Sequence, residues 1–178
     1  IDGDGDLDAF VTNAYSQANK VWLNDGNGSF SDSGQSLGSS ISTGISLGDL
    51  DGDGDLDAFV ANYDHQANKV WLNNGSGNFT DSGQSPGSTH SWDVSLGDLD
   101  GDGDLDAFVV NYNQANKIWL NNGSGTFSDS GQSLGSSSSR AISLGDVDGD
   151  GDLDAFIANG GDQANKVWLN EGVPLSGG

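Results

Sequence analysis

One acidic motif occurs four times along the chain. Its clearest copy is Asp49-Leu50-Asp51-Gly52-Asp53-Gly54-Asp55-Leu56-Asp57, with carboxylates at alternate positions and a glycine at the sixth. The motif returns at 98–106 and 146–154, and it lacks its first Asp at 2–8. Calcium takes six to eight oxygen ligands, and such a loop offers them from positions 1, 3 and 5, a backbone carbonyl at 7 and a last carboxylate. The spacing therefore predicts a calcium-binding loop in each copy.

The predicted metal-binding residues are the aspartates of these four loops, with about one calcium ion in each repeat. They are Asp2, Asp4, Asp6, Asp8, Asp49, Asp51, Asp53, Asp55, Asp57, Asp98, Asp100, Asp102, Asp104, Asp106, Asp146, Asp148, Asp150, Asp152 and Asp154. The seventh residue of each loop is expected to bind through its carbonyl oxygen. The first loop lacks position 1, so we expect it to bind calcium most weakly or to take a ligand from elsewhere.

The charge of the chain fits this interpretation. The 178 residues carry a formal net charge of -22, and 19 of the 27 acidic residues lie in the four loops. Without metal, the clustered carboxylates repel one another and oppose folding. An anionic surface of this kind will not attract nucleic acid or an anionic membrane. No stretch of the sequence approaches the length of a membrane span, so we expect no membrane insertion.

Few residues are suited to catalysis. The chain has no cysteine, two histidines and a single glutamate, Glu171. The paired carboxylates that would resemble a glycosidase pair are assigned to metal. The sequence therefore predicts that the protein is not an enzyme.

The sequence repeats with a period of about 49 residues, as Trp22, Trp71, Trp119 and Trp168 show. A period of this size is typical of propellers and other repeat arrays. Within one repeat, alternating and apolar segments predict strands at 43–47, 56–61, 69–72 and 78–81, and no segment has a helical period. The Asn-Gly pair at 74–75 predicts a turn between the last two strands.

The third predicted strand is apolar on both faces, since it reads Val70-Trp71-Leu72. Such a strand must be covered on both sides, as in the radially arranged sheets of a β-propeller. We therefore predict an all-β, β-propeller-type array of four-stranded antiparallel blades, with the repeated Trp and Phe packed between blades. The single repeat domain, 1–178, divides into a partial unit (1–39), two full units (40–88 and 89–136) and a second partial unit (137–178).

Residues 47–60, Leu-Gly-Asp-Leu-Asp-Gly-Asp-Gly-Asp-Leu-Asp-Ala-Phe-Val, resemble the FG-GAP/VCBS repeat family, whose best-known members are the integrin α-subunit propellers. The resemblance implies that the calcium loop joins the first two strands of each blade. It also implies an extracellular protein of adhesion, of carbohydrate or partner recognition, or of surface structure. An EF-hand is excluded, because Val60 stands where the twelfth-position glutamate would be.

The terminal units are predicted to be incomplete. The first unit lacks its first strand, and the residues after Trp168 contain no counterpart of Phe30, Phe79 and Phe127, so we expect no fourth strand there. Open strand edges are usually paired or covered. We expect the terminal strands to meet those of another copy, or of the rest of a longer parent chain, in a ring or a filament.

Differences between the repeats are concentrated in two loops, one between the second and third strands and one before the first strand. In an up-and-down blade these loops share one face, opposite the calcium loops. The candidate ligand contacts on this variable face are Tyr15, Tyr63, His65, His90, Trp92, Tyr112 and Arg140. A glycan or a cell-surface protein is the expected partner there.

Two functions therefore remain open. The near-identical units and incomplete ends favour an extracellular, calcium-stabilised structural module that oligomerises through its terminal blades. The variety of side chains on the variable face favours an adhesion or carbohydrate-binding module. Both place the protein outside a cell or on its surface, and we expect a bacterial source. The lysine that recurs once per unit is expected to pair with an acidic or carbonyl group.

Overall fold

A computed structural model describes residues 1–172, and within them the chain forms fourteen β-strands and no helix. The strands form four antiparallel sheets in chain order, here called blades 1 to 4. The expected all-β, blade-like architecture is confirmed. The acidic loop lies between the first two strands of the second, third and fourth blades.

Blades 1 and 4 have three strands each within the described residues, and blades 2 and 3 have four. Blade 1 comprises β1 (Ala9–Val11), β2 (Lys20–Asn24) and β3 (Phe30–Asp32). Blade 2 comprises β4 (Ser42–Gly48), β5 (Asp57–Asn62), β6 (Lys69–Asn73) and β7 (Phe79–Asp81). Blade 3 comprises β8 (Ser91–Gly97), β9 (Asp106–Asn111), β10 (Lys117–Asn121) and β11 (Phe127–Asp129). Blade 4 comprises β12 (Ser139–Gly145), β13 (Asp154–Asn159) and β14 (Lys166–Trp168).

The predicted strands of blade 2 are each found within one or two residues of their predicted ends. Neighbouring strands pair in sequence order, so that Phe59 lies opposite Val70 and Trp71 opposite Asp81. Blade 1 begins at the strand that corresponds to β5, as expected. The sequence also predicts that no fourth strand follows Trp168. That prediction concerns mostly residues 173–178, which lie outside the described part of the chain.

The hydrophobic core lies between blades. Three apolar clusters fill the junctions of blades 1 and 2, 2 and 3, and 3 and 4. Strands β5 and β9 are buried along their whole length, because each lies in a blade with neighbours on both sides. Phe59 packs edge-on against Phe127 of the next blade, with ring centres 5.2 Å apart. The repeated aromatic residues therefore pack between blades, as predicted.

Each blade has a leading face, which points to the next blade, and a trailing face, which points to the preceding one. In blade 2 the leading face carries Leu50, Phe59 and Val70, which pack in one cluster with residues of blade 3. The trailing face carries Val60 and Trp71, which pack with residues of blade 1. This alternation follows from the two-residue period of a strand.

Neighbouring blades are also joined by polar contacts to the calcium loops. The side-chain amide of Asn121 in blade 3 donates a hydrogen bond to the carbonyl of Leu50 in the loop of blade 2, at 2.8 Å. The backbone N–H of Gly125 donates to the same oxygen at 2.7 Å. Asn73 and Asn170 make the corresponding bonds to Ile1 and Leu99. Each of the first three loops therefore offers a carbonyl to the blade that follows it.

The lysines of the first three blades have the structural role predicted for them. Lys20, Lys69 and Lys117 form ion pairs with Asp32, Asp81 and Asp129 across the third and fourth strand positions, at 3.0–3.3 Å. These pairs are half-exposed, so each contributes little to the free energy of folding.

Candidate functional site

The structure brings carboxylates together in three of the four acidic loops. In each, three aspartates place one carboxylate oxygen apiece within 4.8 Å of the others. The groups are Asp49 with Asp51 and Asp53, Asp98 with Asp100 and Asp106, and Asp146 with Asp148 and Asp154. Hard, anionic oxygen donors at this spacing suit calcium in preference to a softer metal.

The first and last aspartates of each complete loop also fix its backbone. The Asp49 carboxylate accepts hydrogen bonds from the N–H groups of Gly52 and Gly54, at 2.8 and 3.0 Å. The fully buried Asp57 accepts one from Leu50 and one from Asn73, at 2.9 and 2.8 Å. The loop is thereby held in a curved conformation, in which the carboxylates of Asp49, Asp51 and Asp53 come close together.

The seventh residue of the loop directs its carboxylate away from this centre. A β-carbon placed on Gly75 would lie 2.5 Å from Oδ2 of Asp55, so the Asp55 side chain lies against the Asn-Gly turn. This position is compatible with the prediction that Asp55 binds metal through its backbone carbonyl, which stays a prediction. Gly75 is restricted twice, since its φ of +74° also disfavours a side chain. The calcium loop and this turn therefore share one end of the blade.

The first loop differs from the others as its sequence indicates. No trio of its aspartates comes together within residues 1–172 in the way seen in the other loops. Asp8 lies 2.9 Å from the nitrogen of Ile1, which is the contact that Asp57 makes with the N–H of Leu50 in blade 2. Weak calcium binding here remains a prediction.

Burial and crowding disfavour the charged form of several loop carboxylates. Burial raises the pKa of Asp106 to about 6, although two backbone N–H groups act in the opposite direction. Burial also raises the pKa of Asp57, and burial together with repulsion from Asp53 raises that of Asp51. These shifts describe the metal-free protein, and a bound cation would reverse them.

We expect the metal-free protein to become more stable as the pH falls from about 8 to about 5. An unfolded aspartate has a pKa of about 3.9, so above that pH the folded Asp106 holds a proton more readily than the unfolded chain does, and stability declines as pH rises. Asp8, Asp25 and Asp32, whose pKa values are lowered mainly by hydrogen bonds, affect stability only at lower pH. Thermal melts of dialysed, metal-free protein across this range measure the effect.

The same melts with saturating calcium supply the control. Protons compete with calcium for the carboxylates, so the melting temperature should then fall, not rise, towards pH 5. A metal-free melting temperature that falls towards pH 5 would contradict the prediction.

At the opposite end of the blades, a repeated Asn–Asn clamp closes the loop between the second and third strands. In blade 2 the Asn62 amide donates to the carbonyl of Ala67 at 2.7 Å, and its N–H donates to Oδ1 of Asn68 at 2.9 Å. The neighbouring Gln66 accepts a 2.6 Å hydrogen bond from the N–H of Ile41, just before β4. The unchanging Gln-Ala-Asn segment therefore fixes the two variable loops against each other.

The tips of these loops are held in an unusual backbone conformation. Tyr15, Ser16, Asp64 and His65 all have φ of 58–59°, in the left-handed region that non-glycine residues rarely occupy. Such strain persists only where the surrounding structure imposes it, and it is common at binding sites. Here the tip residues lie between the two asparagines of the clamp in each loop.

The seven candidate contacts of the variable face form one cluster. The ring of Tyr63 lies 4.7 Å from His90 and 5.4 Å from Trp92, measured between ring centres. His65 stacks on His90 at 4.1 Å. The remaining three candidates extend the cluster, because Tyr112 and Arg140 contact Trp92 and Tyr15 lies on the same pocket.

The cluster borders an open pocket of about 540 Å³. Its lining is mostly aromatic and small polar side chains, and the ten lining residues are Thr12, Ala14, Tyr15, Ile41, Ser42, Thr43, Tyr63, Trp92, Tyr112 and Arg140. A pocket of this size and composition can hold a small ligand of about one or two rings.

Sequence reasoning missed part of this lining. Thr43 occupies the same position in β4 as Trp92 in β8 and Arg140 in β12, so the three side chains meet where the first strands of adjacent blades come together. Thr43 also donates a hydrogen bond to the carbonyl of Ser91 in the next blade, at 3.0 Å. Alignment of the repeats contains the signal, since these three positions differ in every unit.

The described residues contain no helix of sufficient length and apolar character to span a bilayer.

Comparison with known proteins supports the propeller-like architecture. Among solved structures, the chain is similar to a lectin from Agrocybe aegerita, whose structure is described as the basis of specific recognition of non-reducing terminal N-acetylglucosamine. The TM-score is 0.59 at 24% sequence identity, over 97% of this chain and 47% of the lectin. The chain thus spans about half the length of that lectin, and this likeness shows the fold alone. A search of curated proteins finds no matching sequence.

The family model for FG-GAP-like repeats matches three overlapping segments, residues 1–60, 49–109 and 98–157. Their starts are 48 to 49 residues apart, in agreement with the repeat seen in the sequence, and each spans two acidic loops and the strands between them. The chain belongs to the FG-GAP-like repeat family.

Proposed function

We propose that this protein is an extracellular, calcium-stabilised propeller module that binds a saccharide on its variable face. The observation that carries the proposal is the clustering of Tyr63, Trp92, Tyr112 and Arg140 around one pocket, at the end of the blades opposite the acidic loops. Aromatic rings offer flat apolar surfaces to the C–H face of a sugar, and nearby polar groups fix its orientation. The lectin-like neighbour supports this choice of ligand class.

Calcium enters the proposal as a structural component. The three carboxylate groups lie at the far end of the blades from the pocket, so the ion is expected to hold the blades together without touching the saccharide. Extracellular modules bind calcium with dissociation constants of roughly 0.1 to 1 mM, which extracellular calcium can saturate and cytosolic calcium cannot. This range supports an extracellular or cell-surface location.

Removal of the Trp92 ring tests saccharide binding. The probes are an array of immobilised glycans that includes terminal N-acetylglucosamine, followed by titration of the best binder. We expect Trp92→Ala to weaken binding at least about tenfold, since a buried aromatic contact contributes on the order of 1 to 2 kcal/mol. Trp22→Ala is the matched control, because Trp22 is partly exposed on the trailing face of blade 1 and does not line the pocket. Absence of glycan binding, or equal binding by Trp92→Ala, would overturn the proposal.

Assembly through the terminal blades is a second candidate function, and a specific observation favours it. The leading face of blade 4 exposes four apolar side chains, whose counterparts in blade 2 pack in the core. These are Val147 (59% exposed), Phe156 (45%), Val167 (49%) and Leu169 (44%). The trailing face of blade 1 exposes the complementary set, Leu7 (86%), Val11 (39%), Trp22 (36%) and Phe30 (50%).

These two faces are the two halves of the junction that the chain repeats three times internally. A second copy could therefore dock head-to-tail, with blade 1 of one copy on blade 4 of the other, which is a heterologous contact. Light scattering of the wild type and of Phe156→Asp in calcium tests this. We expect concentration-dependent association that Phe156→Asp abolishes. A wild type that stays monomeric would eliminate this candidate.

A further inference from the structure

The pocket on the variable face differs in charge from the rest of the molecule. The protein has a formal net charge of -22, yet none of the ten residues that line the pocket is acidic. Its one charged lining residue is Arg140, the single arginine of the chain. A positive group in an acid-free pocket will attract an anion that the rest of the surface repels.

Arg140 is held in place by stacking and has hydrogen-bonding capacity to spare. Its guanidinium carbon lies 4.0 Å from the ring centre of Trp92 and 4.7 Å from that of Tyr112. Within residues 1–172, no carboxylate lies within ion-pair distance of the group and no acceptor takes one of its five N–H donors. The lysines of blades 1 to 3, by contrast, are paired with aspartates.

The carboxylate next to Trp92 in the sequence is already engaged. Asp93 follows Trp92, but its two oxygens accept hydrogen bonds from the N–H groups of Val94 and Ile142, at 2.9 and 3.2 Å. Asp93 therefore ties β8 to β12 and does not neutralise the guanidinium. Contact with two rings restricts the position of the guanidinium, and its paired donors match a planar, two-oxygen acceptor.

We infer that the saccharide bound in this pocket carries a carboxylate, as in a uronic or sialic acid. The carboxylate pairs with the guanidinium of Arg140, and the sugar ring lies beside Tyr63 and Tyr15. This inference rests on the proposed saccharide binding and adds the chemical class of the ligand. The five donors of arginine, two of which match the two oxygens of a carboxylate, distinguish such a sugar from its neutral counterpart.

The test compares acidic and neutral sugars that otherwise match. The probes are cellobiouronic acid with cellobiose, and sialyllactose with its neutral methyl ester, each titrated into the calcium-loaded protein at fixed ionic strength. At least one acidic sugar should bind about tenfold or more tightly than its neutral counterpart, the usual effect of one charge-assisted hydrogen-bonded pair. We expect Arg140→Gln to remove this preference, because it should weaken binding of the acidic sugar by a much larger factor than binding of the neutral one. Arg140→Lys should keep part of the preference.

Lys166→Gln is the charge-matched control, since it removes one positive charge from a residue that does not line the pocket. Melting temperatures of all variants in calcium verify that they are folded. A preference for acidic sugars that survives Arg140→Gln would overturn the inference, as would equal binding of the acidic and neutral members of both pairs. If neutral sugars still bind in a Trp92-dependent manner, only the inference fails. If no glycan binds at all, the proposed function fails with it.

Discussion

Removal of calcium is expected to lower the melting temperature by about 10 °C or more. A site with a dissociation constant of about 0.1 mM contributes about 1.8 kcal/mol at about 2 mM calcium. Three complete loops together contribute about 5 kcal/mol, and each kcal/mol corresponds to about 2–4 °C for a chain of this length. Repulsion among the uncovered carboxylates acts in the same direction. Melts in EDTA and in excess calcium measure the shift.

Loop variants separate calcium binding from general charge effects. Asp100→Asn removes a predicted ligand from a complete loop and should abolish most of that loop's share of the calcium-dependent shift. Asp129→Asn removes the same charge from an ion pair with Lys117 and should leave the shift intact. An unchanged melt of the wild type in EDTA would show that the ions have no structural role. Equal stabilisation by magnesium would argue against a calcium site.

Loss of one core aromatic ring should have the next largest effect. Phe59 is fully buried between blades 2 and 3 and packs against Phe127. Phe59→Ala removes this contact and leaves a cavity, so we expect a loss of about 3–5 kcal/mol in the free energy of unfolding. Urea unfolding monitored by tryptophan fluorescence measures it.

Phe156→Ala is the matched control, since Phe156 holds the same position in blade 4 and is 45% exposed. In dilute, monomeric protein it should cost less than about 1 kcal/mol. If Phe59→Ala and Phe156→Ala lose the same free energy of unfolding, packing between blades is not what makes this phenylalanine stabilising. A Phe156→Ala effect that grows with protein concentration would support head-to-tail assembly.

Much of the fold could be predicted from the sequence because one pattern occurs several times. The Trp and Phe repeats gave the period, and Val70-Trp71-Leu72 indicated a sheet covered on both sides. The structure confirms four sheets in chain order, with Phe59 and Trp71 packed towards opposite neighbours. The ends of the strands in blade 2 could also be predicted, since the Asn-Gly turn fixes where β6 ends.

The candidate sites were predictable to different degrees. The acidic loops are local in sequence, so spacing alone indicated that their carboxylates would come together, as they do in three of the loops. The pocket depends on contacts between blades, such as Trp92 with Arg140, which lie one repeat apart. Exposure and variety of side chains identified the right face, but Thr43 carries no chemical signal of its own. Its place on the pocket follows only from the way adjacent first strands meet.

The bond between each calcium loop and the following blade gives the array a direction. The Leu50 peptide donates its N–H to Asp57 of its own blade and offers its carbonyl to Asn121 and Gly125 of the next one. An ion that orders the loop therefore also orders a joint that belongs to its C-terminal neighbour. Hydrogen exchange of the Gly125 amide should consequently slow when calcium occupies the loop of blade 2. Exchange of the corresponding amide in blade 1, that of Gly28, should not change with occupancy of this loop. Because such coupling is reciprocal, disruption of the joint in blade 3 should in turn weaken calcium binding in the loop of blade 2.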